Sequence, residues 1–144
     1  GTLATLSQGR QDSRGLSRVI PMKILLATAE LHPFSKTGGL ADMASALAKS
    51  LAAEGHQVGV VTPLYHGIRE RFEGLEQLDY DIKVPMNGKW SAGGVAKLEF
   101  KKNLTVYFVD HPHYYDRPAL YGENNVEYPD NPERYIFFFI HLIR

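Results

Sequence analysis

Apolar and polar positions alternate along this chain with a spacing that changes several times. Lys23 to Ala29 is a nearly unbroken apolar run, a pattern that suits a parallel strand covered on both faces. Pro33 cannot continue a central strand, so a loop has begun by then. From Leu40 to Glu54, the residues Leu40, Met43, Ala44, Leu47 and Leu51 recur at helical spacing. They predict an amphipathic helix that turns this stripe to the core. Gly55 stands where a left-handed cap residue is wanted. Gln57 to Thr62, with Val58, Val60 and Val61, is a second apolar strand, closed by Pro63. Strand, helix and strand predict one right-handed parallel βαβ unit. Ile68 to Phe72 reads as a short helix.

The period then changes. Leu78, Tyr80, Ile82 and Val84 alternate with polar residues, as in a half-exposed strand. Asn87-Gly88 is a tight-turn dipeptide. Gly93-Gly94 precedes a further run through Val95, Leu98 and Phe100. Lys101 to Asn103 reads as a turn, and Leu104 to Val109 returns to the buried pattern. These segments predict a small antiparallel insertion within an α/β domain. Trp90 beside the turn is expected to pack locally. Asp110 to Asp130 lacks periodicity and carries Pro112, Pro118, Gly122 and Pro129, the composition of a functional loop or of disorder. A last helix is expected with Asn131 as N-cap and Pro132 at its first position. It is apolar around most of its circumference, from Tyr135 to Ile143, and so is expected to be buried or to drive self-association.

Composition narrows the function classes. The chain has 144 residues, 44% hydrophobic and 22% charged, enough for one globular domain with its own core. The formal net charge is zero, which gives no argument for nucleic acid or an acidic membrane surface. There is no cysteine, so disulfides, thiolate metal sites and thiol nucleophiles are excluded. No apolar run reaches the length of a membrane span. Residues 1–21 stand apart, with Arg10, Arg14 and Arg18 against the single acid Asp12. They read as a non-native or disordered extension before a start at Met22. The other reading of this Arg-rich, Ser-containing, acid-poor stretch is an organelle transit remnant.

The candidate chemistry lies between the first strand and the first helix. Gly38 and Gly39 let a ligand approach the backbone. The helix's first amides lack partners within it, and together with the helix dipole they favour an anion. Lys36 adds a positive charge, and Glu30 closes the strand with a carboxylate facing the same crevice. Ligands of open α/β sheets bind in that crevice, at the carboxyl ends of the strands. A phosphate-bearing ligand is the functional reading. The alternative is that the glycines only make a turn and Lys36 is solvated. Neither G-x-x-x-x-G-K-[ST] nor G-x-G-x-x-G follows the strand. Asp42 in the first helical turn complements the dipole. His111-Pro112-His113 has no third ligand in view, so no metal is assigned. Tyr114, Tyr115 and Tyr121 each have an apolar face and a polar tip, which suit either stacking on a sugar or purine ring or pinning the long loop; pinning is expected for Tyr114 and Tyr115.

Lys36-Thr37-Gly38-Gly39-Leu40-Ala41-Asp42, after a strand ending in Ala29-Glu30, resembles the N-terminal signature of bacterial glycogen synthases and plant starch synthases. Two later blocks resemble the same family in the same order. They are Tyr115-Asp116-Arg117-Pro118-Ala119-Leu120-Tyr121-Gly122 and Tyr128-Pro129-Asp130-Asn131-Pro132-Glu133-Arg134-Tyr135, the latter resembling the family's Asp-Asn-x-x-Arg-Phe segment. The similarity covers Met22 to about Tyr135, and residues 140–144 depart from the family pattern. The resemblance implies a Rossmann-like α/β fold, with a parallel sheet, helices on both faces and a small antiparallel insertion. Residues 22–144 would be the truncated N-terminal half of a GT-B glycosyltransferase. The implied reaction is retaining transfer of glucose from ADP-glucose to the non-reducing end of an α-1,4-glucan, without metal or cofactor. Lys36, Gly38, Gly39, Glu30, Asp42 and Tyr121 would bind substrate. No catalytic residue is assigned in these residues, because the family's His-Asp-Trp segment and C-terminal domain are expected downstream, and the fragment alone is expected to be inactive. A UDP-sugar transferase and a stand-alone glucan- or anion-binding module are the alternatives. The expected partners are the nucleotide-sugar donor, the glucan acceptor and the missing domain, with no nucleic acid and no membrane. The expected location is cytoplasmic, or plastid if residues 1–21 are a transit remnant.

Overall fold

The computed structural model describes residues 10–11, 17–18 and 20–143, with side-chain environments for residues 20–138. Most of the extension expected over residues 1–21 lies outside the described residues. Within it, β1 (Arg10–Gln11) and β2 (Ser17–Arg18) form an antiparallel pair. The domain proper runs β3 (Lys23–Ala27), α1 (Gly39–Ala53), β4 (Gln57–Pro63), α2 (Ile68–Arg71), β5 (Glu76–Met86), β6 (Lys89–Lys101) and β7 (Leu104–Asp110). It continues with α3 (Pro112–Tyr115), β8 (Gly122–Glu123), β9 (Val126–Glu127) and α4 (Asn131–Ile143).

Five strands form one mixed sheet in the order β3-β4-β7-β6-β5. β3, β4 and β7 are parallel, while β6 pairs antiparallel with both β7 and β5. The expected βαβ pairing is present, with Ile24 opposite Val58 and Leu26 opposite Val60. The expected antiparallel insertion is also present, and it is continuous with the main sheet. Its turn has Asn87 at φ 51° and Gly88 at φ 75°, the two left-handed positions that a type I′ hairpin requires. Gly93 and Gly94 lie inside β6. A Cβ on Gly93 would collide with the Asp110 carbonyl and the Phe137 ring, so α4 reaches the sheet only because that position is bare. By strand alternation Gly93 faces away from Ala96 and Phe108. Helix α4 therefore meets the face opposite the one that α1 covers.

Four expectations need correction. The run from Lys23 to Ala29 is not covered on both faces. β3 ends at Ala27 and lies at the sheet edge, and Leu25 is 61% exposed. An apolar run records that a strand tolerates cover, and here one side lacks it. Helix α1 turns Ala41, Ala44, Ser45, Ala48 and Ala52 inward, while Leu40, Met43 and Leu47 are exposed. Both stripes have the helical period. The small residues win the inner face because they let the helix backbone approach the sheet closely. Trp90 is 67% exposed on the hairpin, with Lys83 and Ala92 beside it, so it does not pack locally. Asn131 is the first helical residue of α4, one position later than a cap. The Arg134 amide bonds the Asp130 carbonyl at 3.0 Å, which leaves the Asn131 side chain for other partners.

Other expectations hold. Gly55 has φ 101° and closes α1 through Gly55 N–Ala52 O at 3.1 Å and His56 N–Leu51 O at 3.2 Å, the paired bonds of a Schellman cap. The segment after β7 is ordered by α3 and the β8–β9 hairpin. The side chains of Phe139 to Ile143 lie outside the described residues, so the fully apolar circumference expected of α4 is described only through Phe138. Phe137 and Phe138 are buried, and Ile136 is 47% exposed. Among the described residues no helix is long and apolar enough to cross a membrane.

Candidate functional site

The segment from Thr28 to Gly39 leaves the carboxyl end of β3 and doubles back into α1. It is held from below by Phe34, which is buried against Phe72, Phe100 and Phe108 at ring distances of 4.6, 5.0 and 5.2 Å. Above that anchor the polar groups close on one another. Ser35 Oγ accepts from the Leu31 amide at 3.1 Å, and Thr28 Oγ1 donates to the Glu30 carbonyl at 2.7 Å. Arg71 on α2 donates to the Phe34 carbonyl at 2.6 Å. The loop is thus built into the core before any ligand arrives, the preorganisation a binding site needs.

Glu30 is the centre of the site and is 4% exposed. Its Oε1 accepts from the Thr37 amide at 2.6 Å, and its Oε2 accepts from Thr37 Oγ1 at 2.8 Å and from the Tyr121 hydroxyl at 2.6 Å. Burial alone would raise this carboxyl. The bonds from Tyr121, Thr37 and the Gly38 amide outweigh burial and hold it below the ordinary glutamate range. Tyr121 shifts upward, through burial and then the adjoining carboxylate, so its hydroxyl is a proton donor at neutral pH. Lys36 Nζ meets Asp42 Oδ2 at 2.6 Å in the open mouth of the loop, and this bond lowers the Asp42 carboxyl. A Cβ on Gly38 or Gly39 would meet nothing within 4 Å, so the backbone there faces open space.

All six residues singled out from the sequence therefore lie in one loop cluster. Lys36, Gly38, Gly39 and Asp42 form the mouth, and Glu30 and Tyr121 form its buttress. Glu30 does not present a free carboxylate to the crevice, because loop donors and Tyr121 occupy both of its oxygens.

Sequence reasoning missed the layer that carries Tyr121. The Tyr65 hydroxyl donates to the Ala29 carbonyl at 2.8 Å and lies 2.8 Å from the Tyr135 hydroxyl, whose ring is 5.9 Å from that of Tyr121. Asn131 Nδ2 donates to the Tyr121 carbonyl at 2.8 Å, and its Oδ1 accepts from Arg134 Nη1 at 2.6 Å. Arg134 is fully buried, donates to the Tyr114 carbonyl and sits 4.9 Å from the Tyr128 ring and 5.4 Å from the Tyr135 ring. Arg117 grips Asp130 with two bonds of 2.6 and 2.5 Å, which hold that carboxyl low. The Asp-Asn-x-x-Arg spacing was the available signal, since it places all three side chains at the start of α4. Tyr114 and Tyr115 pin the loop as expected. Tyr115 donates to the Arg134 carbonyl at 2.7 Å, and Tyr114 stacks on His111 at 4.0 Å. His111 is bonded to Ser91 at 2.8 Å, and burial lowers its pKa. Among the described residues no three metal-ligating side chains gather.

The mixed sheet, with a glycine loop leading into a helix at the carboxyl end of β3, defines an α/β domain of the kind that carries ligand crevices at strand ends. The chain belongs to the starch synthase catalytic domain family, whose model matches residues 23–143. It is 39% identical over 127 residues to a glycogen synthase of Rhodopirellula baltica, covering 81% of this chain and 25% of that protein. It is 44% identical over 118 residues to glycogen synthase 1 of Geobacter sulfurreducens, covering 81% and 24%. The catalytic domain of Arabidopsis thaliana starch synthase IV, solved bound to ADP and acarbose, superposes with a TM-score of 0.66 at 28% identity. That match covers 85% of this chain and 25% of the other. The chain thus spans about a quarter of the length of these relatives.

Proposed function

We propose that this chain is the N-terminal part of a glucosyltransferase that moves glucose from ADP-glucose to the non-reducing end of an α-1,4-glucan with retention. Residues 22–144 form the domain portion, and residues 1–21 stand outside it as an extension. The observation that carries the reading is the preorganised Lys36–Asp42 mouth on the Glu30–Tyr121 buttress. Lys36 and the amides opening α1 would meet the donor's phosphates, where negative charge grows as the nucleoside diphosphate departs. Fixed positive groups accelerate such a step only when they already point to the transition state. Lys36 reaches that role by exchanging its Asp42 partner for a phosphate oxygen, and Asp42 is then released to a sugar hydroxyl. Tyr121 offers its ring edge to a sugar while its hydroxyl stays on Glu30. The reading calls for no metal or cofactor, since Lys36 and the amides supply the positive charge. The acceptor glucan and a second, downstream domain complete the site, so the 144-residue chain alone does not turn over. Its glycogen synthase relatives from bacteria support a cytoplasmic setting, which the cysteine-free composition fits.

Kinetics on a chain extended to the length of its relatives test the reading. Lys36→Ala should lower kcat/KM for ADP-glucose by about tenfold or more, the scale of one lost charge-assisted hydrogen bond. UDP-glucose should be a poorer donor than ADP-glucose. Unchanged kinetics in Lys36→Ala, or no glucan elongation with either donor, would overturn it.

A further inference from the structure

The sequence suggests that the amides around Gly38 wait for an external anion. The structure shows that an anion is already there. The Thr37 amide lies 2.6 Å from Glu30 Oε1, and the Thr37 hydroxyl lies 2.8 Å from Oε2. The Tyr121 hydroxyl, 91 residues on, closes the second oxygen at 2.6 Å. Glu30 is 4% exposed, so this carboxylate is set into the protein behind the loop. The Thr37 amide, the Thr37 hydroxyl and the Tyr121 hydroxyl are fixed donors converging on one carboxylate, the partners that a bound phosphate or carboxylate would otherwise take. A tenant bonded this way and shielded from water is not displaced by a ligand arriving from the open side.

We infer that Glu30 is a positioning residue, a resident counter-anion that fills the Thr37–Gly38 end of the loop and ties it to Tyr121. A ligand anion is thereby confined to Lys36 and the amides from Gly39 onward. The link joins two segments far apart in sequence, the loop before α1 and the segment after α3. Tyr121 is held in turn by Asn131, whose amide donates to the Tyr121 carbonyl at 2.8 Å. Removing the Glu30 carboxylate should do two things together. It should free the loop from Tyr121, and it should leave an anion-shaped vacancy that a small carboxylate can fill. A residue that only packed the core would produce the first effect without the second.

The catalytic meaning of this arrangement rests on the function proposed above, but the test does not, because it uses no nucleotide sugar. The 144-residue chain is labelled with 15N, and the Thr37, Gly38 and Gly39 amides are followed. In the unsubstituted chain, inorganic phosphate should move Gly39 and leave Thr37 and Gly38 in place. In Glu30→Ala, Thr37 and Gly38 should shift, and Thr37 should exchange with solvent at least about tenfold faster, the factor of one lost hydrogen bond. Formate should return both resonances towards their original positions with a saturable dependence, whereas formate added to the unsubstituted chain should not move them. The inference is overturned if phosphate moves Thr37 and Gly38 in the unsubstituted chain. It is equally overturned if a folded Glu30→Ala leaves these amides unmoved or fails to respond to formate. Should Glu30→Ala not fold, the phosphate titration of the unsubstituted chain decides the matter together with Glu30→Gln, whose isosteric neutral amide leaves no vacancy: there Thr37 should shift and formate should have no effect, and an unmoved Thr37 would overturn the inference. Loss of glucan synthesis in Lys36→Ala of the extended chain, with these amides behaving as described in the 144-residue chain, would support both readings; intact synthesis in that extended variant would overturn only the catalytic one.

Discussion

At the scale of single residues, the site depends on a few short bonds whose loss can be measured. Tyr121→Phe removes one donor from a buried carboxylate and adds nothing in its place. A hydrogen bond to a charged group contributes about 1.5–3 kcal/mol, so this variant should lose stability on that scale in urea titrations near neutral pH. Tyr121→Ala should lose more, because the ring contact with Tyr135 goes as well. A loss within error for Tyr121→Phe would show that water replaces the bond. The carboxyl of Glu30 also sets an acid limit. Its folded value lies below the ordinary 4.5, so its bonds stabilise the native state in full above that ordinary value. This contribution disappears as pH falls through the lowered folded value. Asp130, held low by Arg117, acts in the same direction. Stability should therefore fall steeply below about pH 4.5. Glu30→Gln should flatten that fall when acid unfolding is followed by circular dichroism. The residue types of this site were legible in the sequence, because lysine, glycines and a carboxylate between an apolar run and a helical period point to an anion. The partner of Glu30 was not legible from local spacing. A bond across 91 residues depends on where the segment after α3 folds back, and that is a tertiary fact.

At the scale of elements, α1 shows why a helical period does not identify the buried face by itself. Ala41, Ala44, Ser45, Ala48 and Ala52 repeat as regularly as the exposed Leu40, Met43 and Leu47; of the expected stripe Ala44 is buried and Leu51 packs partly against the core. The larger residues carry the stronger hydrophobic signal, yet the sheet takes the smaller ones. The two faces predict opposite responses to substitution. Ala48 is 1% exposed among Val60, Leu104 and Val106. Ala48→Leu should overpack that contact and cost about 1–3 kcal/mol. Leu47 is 45% exposed, so Leu47→Ala should change stability by no more than about 0.5 kcal/mol, as for other surface positions. Paired urea titrations of the two variants check the assignment, and a reversed ranking would place the leucine stripe inside. Elsewhere the elements followed their signals closely. Asn87-Gly88, Gly55 and the valines of β4 each made the structure their local chemistry favours. The insertion was legible as antiparallel, but its continuity with the main sheet was not. Pairing of β6 with β7 is decided by register across strands, with Ala96 opposite Phe108 and Leu98 opposite Val106.

At the scale of the whole molecule, the described chain covers one side of its sheet unevenly. Leu25, Val61, Leu78, Tyr80, Val95, Tyr107 and Val109 line a shallow groove of about 440 Å³ on the sheet. Leu25 and Tyr80 in this groove are 61% and 53% exposed. The groove borders β3, which among the described residues pairs with β4 alone and so presents an open edge. An apolar groove beside an unpaired strand edge combines two features that promote association between chains. The exposed Leu40–Met43–Leu47 stripe of α1 adds a second apolar surface. The 144-residue chain should therefore associate as its concentration rises, with the β3 edge at the contact. Leu25→Glu places a charge in the middle of that surface without disturbing a buried contact. It should shift the chain towards monomer in sedimentation velocity runs while leaving the melting temperature of the monomer nearly unchanged. Leu47→Glu on α1 should have a smaller effect, which separates sheet-edge pairing from contact through the helix. A monomeric mass for the unsubstituted chain across the whole concentration range would show that the groove and the open edge are tolerated in water, and the argument from exposed apolar area would fail for this domain.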